Sequence, residues 1–270
     1  MSNLQLRVIS GVVMAAVVLG LTWFGGLPFR ALSAVISLAV FYEWCAMSRT
    51  PANAVHQWLS AVFLVVVLMA LLAGLPAASV LLALGGAIFV SAGIGLVYGQ
   101  GMWTTVGLAY AGLSGISLAL LRGADKVGLV AILFLFAVVW ATDILAYFVG
   151  RAAGGPKLAP SISPGKTWSG AIGGTVGGMI GGLAVAAAAG ADLLLMVPIV
   201  LLLSVVSQIG DLFESWVKRR HGVKDSSHLI PGHGGVMDRV DGLVVAAFAL
   251  YVIALLLGGA GHPAGGLFSL

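Results

Sequence analysis

The sequence predicts an all-α protein, a polytopic bundle of about nine transmembrane helices. Of its 270 residues 60% are hydrophobic and only 8% are charged, against roughly 25% charged in an ordinary soluble domain; the mean hydropathy is +1.12. Apolar runs of roughly 17 to 22 residues recur along the chain, the length that spans a hydrocarbon core as a helix. The runs are too long for strands and lack a two-residue period, which excludes a barrel.

The spans read as 8–24, 31–48, 57–75, 78–98, 103–121, 127–150, 169–190, 193–213 and 240–259. The first is read as retained rather than as a cleaved signal peptide, because it is long and no A-x-A site follows it. The fourth and fifth are parted only by Tyr98-Gly99-Gln100-Gly101, so a re-entrant hairpin is the alternative there. With nine spans, one face carries Arg7, Arg49, Arg151, Lys157, Lys166, Lys218, Arg219, Arg220, Lys224 and Arg239, and the other only Arg30, Arg122 and Lys126. Positive residues stay inside, which places the N-terminus and the long joins 151–168 and 214–239 in the cytoplasm. The single Cys45 rules out an internal disulfide or a multi-cysteine metal site. A net charge of +4 reflects loop residues and gives no reason to expect nucleic acid.

Within the spans, Trp23, Trp44, Trp58 and Trp103 suit an interfacial aromatic belt. Glu43, near the end of the second span, is expected to be structural. Asp143 in the sixth span is a functional candidate, since a carboxylate in a span is costly; the bland alternative is an ion pair with Arg151 or a loop lysine. Tyr147 follows it at i+4 on the same face. Pro156, Pro160 and Pro164 forbid a long helix in the join 151–168. Gly165-Lys166-Thr167 resembles the end of a P-loop, yet the glycine required five positions earlier is Pro160 and no strand precedes it; what remains is a basic, hydroxyl-rich join suited to phosphate or simply to the cytoplasmic surface. In the seventh span Gly170, Gly174, Gly178 and Gly182, and Gly173, Gly177 and Gly181, recur at i+4, the spacing that lets helices approach closely, within the chain or against a second copy in a homodimer.

Most of the polar chemistry lies in Asp211–Gly242. These 32 positions hold five of the nine acidic residues, five of the thirteen Lys and Arg, and three of the five His. Ser204, Ser207, Gln208, Asp211, Ser215 and Lys218 step by three or four and predict one polar stripe entering the membrane, the mark of a water-filled or ligand-lined cavity. Lys218-Arg219-Arg220 and Lys224 beside carboxylates suit a nucleoside triphosphate with Mg²⁺, although basic groups at a membrane edge are often only solvated. Pro231-Gly232-His233-Gly234-Gly235 lets backbone N–H groups approach an anion, or is a turn re-entering the membrane with His233 structural. Asp238 and Asp241, at i and i+3, give two hard oxygen donors on one side of a helix, which suits Mg²⁺ better than zinc; one of them would also be favoured by the helix N-terminus alone.

Ser215-x-x-Lys218-Arg219, Lys224-Asp225 and His233-Gly234-Gly235-x-x-Asp238-Arg239-x-Asp241, with Asp143 to Arg151 and Ser163-Pro164-x-Lys166-Thr167-Trp168, resemble the phosphatidate cytidylyltransferase (CDP-diacylglycerol synthase) family. Ser169 departs from it, standing where the family usually has Glu. The resemblance implies CTP and phosphatidic acid as substrates, CDP-diacylglycerol and pyrophosphate as products, Mg²⁺ as cofactor, and a place in phospholipid synthesis. It implies Asp211, Asp238 and Asp241 at the metal, Lys218, Arg219 and Lys224 at the triphosphate, and Ser215 donating to a phosphate. Lys166, Asp143, His233, Gly234 and Gly235 would line the substrates. On this reading 1–270 is one integral membrane domain, with 1–121 carrying little site chemistry and 122–270 forming the catalytic half. Two alternatives stand beside it. An ion-coupled transporter would use Asp143, Asp211 and the polar stripe as a cation path. A CDP-alcohol phosphatidyltransferase also carries paired Asp residues, but its Asp-Gly-x-x-Ala-Arg opening is missing.

Overall fold

The computed structural model describes residues 3–48, 50–230, 232–259 and 262–268, without the side chains of 3–7 and Pro51; Arg49 and Pro231, and the side chain of Arg7, lie outside the described residues. The chain is helical nearly throughout. The long helices are α1 (Asn3–Phe24), α2 (Gly26–Ser48), α3 (Ala54–Leu72), α4 (Ala77–Val97), α5 (Trp103–Arg122), α6 (Lys126–Ala153), α7 (Trp168–Ala188), α8 (Leu193–Arg220) and α9 (Met237–Gly258). Among the described residues, α2 to α9 are eight helices long and apolar enough to cross a membrane, and α1 adds the shorter apolar stretch Val8–Phe24. The protein is therefore a multi-pass membrane protein of the expected class.

The chain divides into two compact units, Met1–Leu120 with Asp225–Arg239, and Leu121–Lys224 with Val240–Leu270. In the first, α1 packs on α2, α2 on α3 and α3 on α4. Small polar side chains replace apolar packing where the helices run close. Ser91 lies 2.9 Å from His56 Nε2, 3.0 Å from Ser60 and 3.0 Å from Thr105, joining α3, α4 and α5. Trp44 is not part of an interfacial belt. It is fully buried, stacked on Trp103 at 4.8 Å, and its Nε1 donates to the Trp103 carbonyl. Gly107 leaves the space its ring fills, since a Cβ there would collide with it. Trp23 and Trp58 are exposed as expected.

In the second unit α7 lies along α6, with α8 against both. The glycine ladder is the reason. A Cβ on Gly174 would come within 2.8 Å of the Thr142 carbonyl oxygen, and one on Gly177 within 2.8 Å of that of Ala141. The ladder thus serves packing inside the chain. The join between α6 and α7 forms a small antiparallel hairpin, β1 (Lys157–Ala159) with β2 (Ser163–Thr167), pairing Lys157 with Thr167 and Ala159 with Ser163. Thr167 then caps α7, its hydroxyl accepting from Gly170 N at 3.1 Å. The α8 helix runs on to Arg220, past the expected boundary at 213, so Lys218, Arg219 and Arg220 occupy its last turn, where cations are favoured by the helix dipole.

Candidate active site

Each functional side chain is placed by one of these local arrangements. In the second unit, α6, α7, α8 and the hairpin enclose a cavity of about 610 Å³. Asp143, Tyr147, Arg151, Lys157, Lys166, Gln208 and Asp211 contribute its polar lining. The hairpin carries Lys166 into an ion pair with Asp211. Asp143 and Asp241 feel the charge of Asp211, and both also feel Lys166. Acidic residues of three helices thus share the field of one lysine, which is in contact with Asp211. Arg151 is not the partner of Asp143: its Nη1 donates to the Tyr147 hydroxyl at 2.9 Å, one turn back on α6.

Two glycines bring α9 beside α8 here. A Cβ on Gly210 would lie 2.8 Å from the Asp241 carbonyl oxygen, and one on Gly242 2.8 Å from that of Ser207. Neither residue looks functional in the sequence, yet they set the approach of the strands of chemistry on each side, Asp211 next to Gly210 and Asp241 next to Gly242. The predicted polar stripe of α8 divides in two. Its inner part is helix contact: Ser204 lies 2.8 Å from Thr142, and Gln208 Nε2 donates to Thr175 at 3.0 Å. Its outer part, Gln208 and Asp211, lines the cavity.

The cations at the end of α8 are already engaged. Lys218 lies 2.6 Å from the fully buried Glu214, one turn earlier. Arg219 donates through Nε to the Ile162 carbonyl in the hairpin turn and through Nη1 to that of Val223. Ser215 is half-buried and Lys224 exposed. His221, which caps α8, has its imidazole pKa lowered by burial and by the neighbouring Arg220. Ser169 donates to the Gly154 carbonyl and lies 3.0 Å from the Thr167 hydroxyl, so it fastens the hairpin to the end of α6.

In the first unit, the segment 225–239 forms a polar pocket lined by Asp225, His228, Ile230, Gly232, His233, Gly234 and Arg239. His233 Nδ1 lies 2.8 Å from the Ser10 hydroxyl, and Arg239 Nε donates to the His233 carbonyl at 3.0 Å. Gly234 takes φ +82°, a conformation that favours glycine. Asp238 accepts from Gly235 N at 2.8 Å, from Ser226 N at 3.0 Å and from the Ser226 hydroxyl at 2.9 Å. Behind it stands Glu43 of α2, fully buried, with four donors on its carboxylate.

The donor chemistry suits a hard cation, since all the candidate acids offer oxygen. Among the described residues no three His, Cys, Asp or Glu side chains are grouped closely enough to hold an ion alone. Mg²⁺ takes one or two carboxylates and completes its shell with water and substrate phosphates.

The Cytidylyltransferase family model matches residues 5–257. A phosphatidate cytidylyltransferase of Brucella suis biovar 1 (strain 1330) is 50% identical over 276 residues, covering 100% of both chains. One of Brucella abortus biovar 1 (strain 9-941) is 51% identical over 263 residues, 95% of each. One of Bacillus subtilis (strain 168) is 40% identical over 144 residues, 50% of this chain and 51% of that one. With a family match that runs nearly end to end over the acidic clusters, the glycine contacts and the hairpin lysine, this chain belongs to the Cytidylyltransferase family.

Proposed function

We propose that the protein transfers the cytidylyl group of CTP to phosphatidic acid, forming CDP-diacylglycerol and pyrophosphate in phospholipid synthesis. The observation that carries the reading is the Lys166–Asp211 pair on the wall of the cavity, with Asp143 and Asp241 close enough to share its field. A transporter or a CDP-alcohol phosphatidyltransferase is set aside by the family assignment.

The chemistry needs no activated nucleophile. A phosphatidate oxygen is anionic at neutral pH and attacks the α-phosphorus of CTP in line; the new P–O bond forms as the bond to the β-phosphate oxygen breaks, and pyrophosphate leaves with that electron pair. The protein's task is positioning and charge neutralisation. In this reading Asp211, Asp238 and Asp241 would hold Mg²⁺ together with the substrate phosphates, since no three acidic side chains among the described residues are grouped closely enough to hold it alone. Mg²⁺ there supplies charge neutralisation of the phosphate oxygens and of the leaving pyrophosphate. Lys166, Lys218, Arg219 and Lys224 bind phosphate oxygens and Ser215 donates to one; His233, Gly234 and Gly235 line the substrate, but the His233 N–H already donates to the Ile230 carbonyl and the Gly235 N–H to Asp238.

The Lys and Arg asymmetry supports a site on the cytoplasmic face of the bacterial inner membrane, where CTP is available. A cysteine placed at the exposed Ser161 would then react with an impermeant maleimide in inside-out vesicles and stay unlabelled in intact cells. The function itself is tested with purified protein, phosphatidic acid in detergent micelles and CTP labelled in the α-phosphate. Mg²⁺-dependent labelled lipid is expected, and its absence from folded protein would refute the assignment.

A further inference from the structure

We infer that Glu43, in the N-terminal helices, is a positioning residue of the transfer site: it caps α9 from α2 and holds the 225–239 segment in the shape that presents Asp238. The inference rests on the reading of Asp238 as a site carboxylate.

The geometry is specific. Glu43 Oε1 accepts from Val236 N at 2.8 Å and from the Ser227 hydroxyl at 2.6 Å. Its Oε2 accepts from Met237 N at 2.7 Å and from the Ser226 hydroxyl at 3.1 Å. Met237 opens α9 and Val236 immediately precedes it, at a helix start whose first backbone N–H groups have no partner inside the helix. A helix start normally finds its acceptor in the residue just before it. Here the acceptor comes from another helix 193 and 194 residues away, and it is wholly buried. A lost partner at such a site leaves buried donors unsatisfied, with no water to replace it.

Ser226 links this anchor to Asp238. Its one hydroxyl proton faces two carboxylates, Glu43 Oε2 at 3.1 Å and Asp238 Oδ2 at 2.9 Å, and can serve only one at a time. With no cation on Asp238, the proton can go to it. When a cation draws on Asp238, the same proton has a second acceptor waiting on Glu43, so the hydroxyl need not be left facing positive charge. Gly235 completes the unit. A Cβ there would strike both the Ser226 hydroxyl and Glu43 Oε1, so the second glycine of the Gly234-Gly235 pair is required by Glu43, independently of backbone conformation.

Four donors converge on Glu43, so the position demands a group that only accepts. Glutamine has one accepting oxygen, and its amide N–H₂ would face two of the donors. The test compares E43Q, S226A and D238N with wild type as full-length purified protein. It measures turnover per folded molecule, the Mg²⁺ concentration for half-maximal rate, the KM values for CTP and phosphatidic acid, and backbone hydrogen exchange over 225–239. E43Q should exchange faster across Val236 and Met237, lose roughly tenfold to a hundredfold in kcat, as misplacement of a reacting group does, and need more Mg²⁺, with KM for phosphatidic acid little changed. S226A, which leaves the anchor's charge and backbone contacts in place, should show the same pattern more weakly. The E43Q/S226A double mutant should lose less than the product of the single losses, because both act through Asp238. A purely structural role for Glu43 predicts reduced folded yield with normal kcat and Mg²⁺ dependence in the folded fraction. Should E43Q fail to fold, S226A decides alone. Wild-type kcat and Mg²⁺ dependence in S226A and in any folded E43Q, alongside an impaired D238N, would overturn the inference and leave the site reading standing. Wild-type behaviour of D238N would overturn both.

Discussion

Thr142 on α6 and Ser204 on α8 bring their hydroxyl oxygens to 2.8 Å of each other, and Gly178 of α7 leaves the space that contact occupies. A Cβ at position 178 would collide with the Thr142 hydroxyl and come within 2.9 Å of that of Ser204. The cavity lies on the same three helices.

G178L is therefore expected to destabilise the protein by about 1–3 kcal/mol or more through overpacking, with G174L similar. Thermal unfolding in detergent would show it as a lowered midpoint. Turnover per folded molecule should stay near wild type; a well-folded G178L that is specifically inactive would instead place α7 in the chemistry.

Replacing Asp241 by Asn keeps its size and its place on α9. If Asp241 holds Mg²⁺, the loss of charge should cost on the order of 3 kcal/mol of transition-state stabilisation, roughly a hundredfold in kcat. A Mg²⁺ titration of cytidylyl transfer should show partial rescue if affinity is the main defect. If Asp241 holds no cation, turnover of the folded mutant should be near normal.

The spans and the glycine ladder were legible in the sequence because each is a local signal: a run of apolar residues as long as the bilayer is thick, and small residues repeating at i+4. The Asp143–Tyr147 face, Lys166 and Asp211 were legible in the same way, since polar groups in an apolar chain stand out. The hairpin was not, because strands of three and five residues are too short for any period to register, and its prolines signal only the absence of helix. Trp44 and Glu43 were the least legible. A tryptophan or an acid near a span end looks the same whether it faces lipid headgroups or the protein interior. Glu43 finds its partners at least 183 residues along the chain, and nothing in FYEWCAM points to them. Glu214 escaped notice for a related reason: its partner Lys218 stood out as a substrate ligand.

Outside the spans, Asp125 offers a pH test. It caps α6 by accepting from Gly128 N at 2.7 Å, and it lies 2.5 Å from His262 of the C-terminal segment. Burial raises its pKa, but the Gly128 N–H, His262 and Arg122 outweigh that, and the net pKa is lowered from the ordinary carboxylate value. A depressed carboxyl pKa gives stability that is present above the unfolded pKa and lost as pH falls through the folded one. Asparagine caps a helix about as well as aspartate, so D125N isolates the charge. The pair is half-exposed, which limits the effect to roughly 0.2–1 kcal/mol. Wild type should be more stable than D125N at pH 6, and the gap should close as pH falls below about 4. An unchanging gap across that range would show that Asp125 contributes by shape alone.

Lys218 has two roles to separate, since it is a proposed triphosphate ligand and also pairs with the buried Glu214 at 2.6 Å. Removing the lysine alone takes a cation away from a buried carboxylate, which is destabilising. K218M should therefore unfold at lower temperature and lose activity, and the single mutant cannot say which loss caused the other. The double mutant K218M/E214L can. It removes both charges and fills the space with apolar groups, and such replacements are often neutral for stability. Folding should return to near wild type. If Lys218 also binds the triphosphate, the refolded double mutant should still show a raised KM for CTP with an unchanged KM for phosphatidic acid. E214Q gives the converse, keeping the lysine while weakening its hold, so it should leave KM for CTP unchanged or lower it. Full recovery of CTP affinity in the double mutant would assign Lys218 wholly to its partner Glu214 and leave Lys166, Arg219 and Lys224 to hold the phosphates.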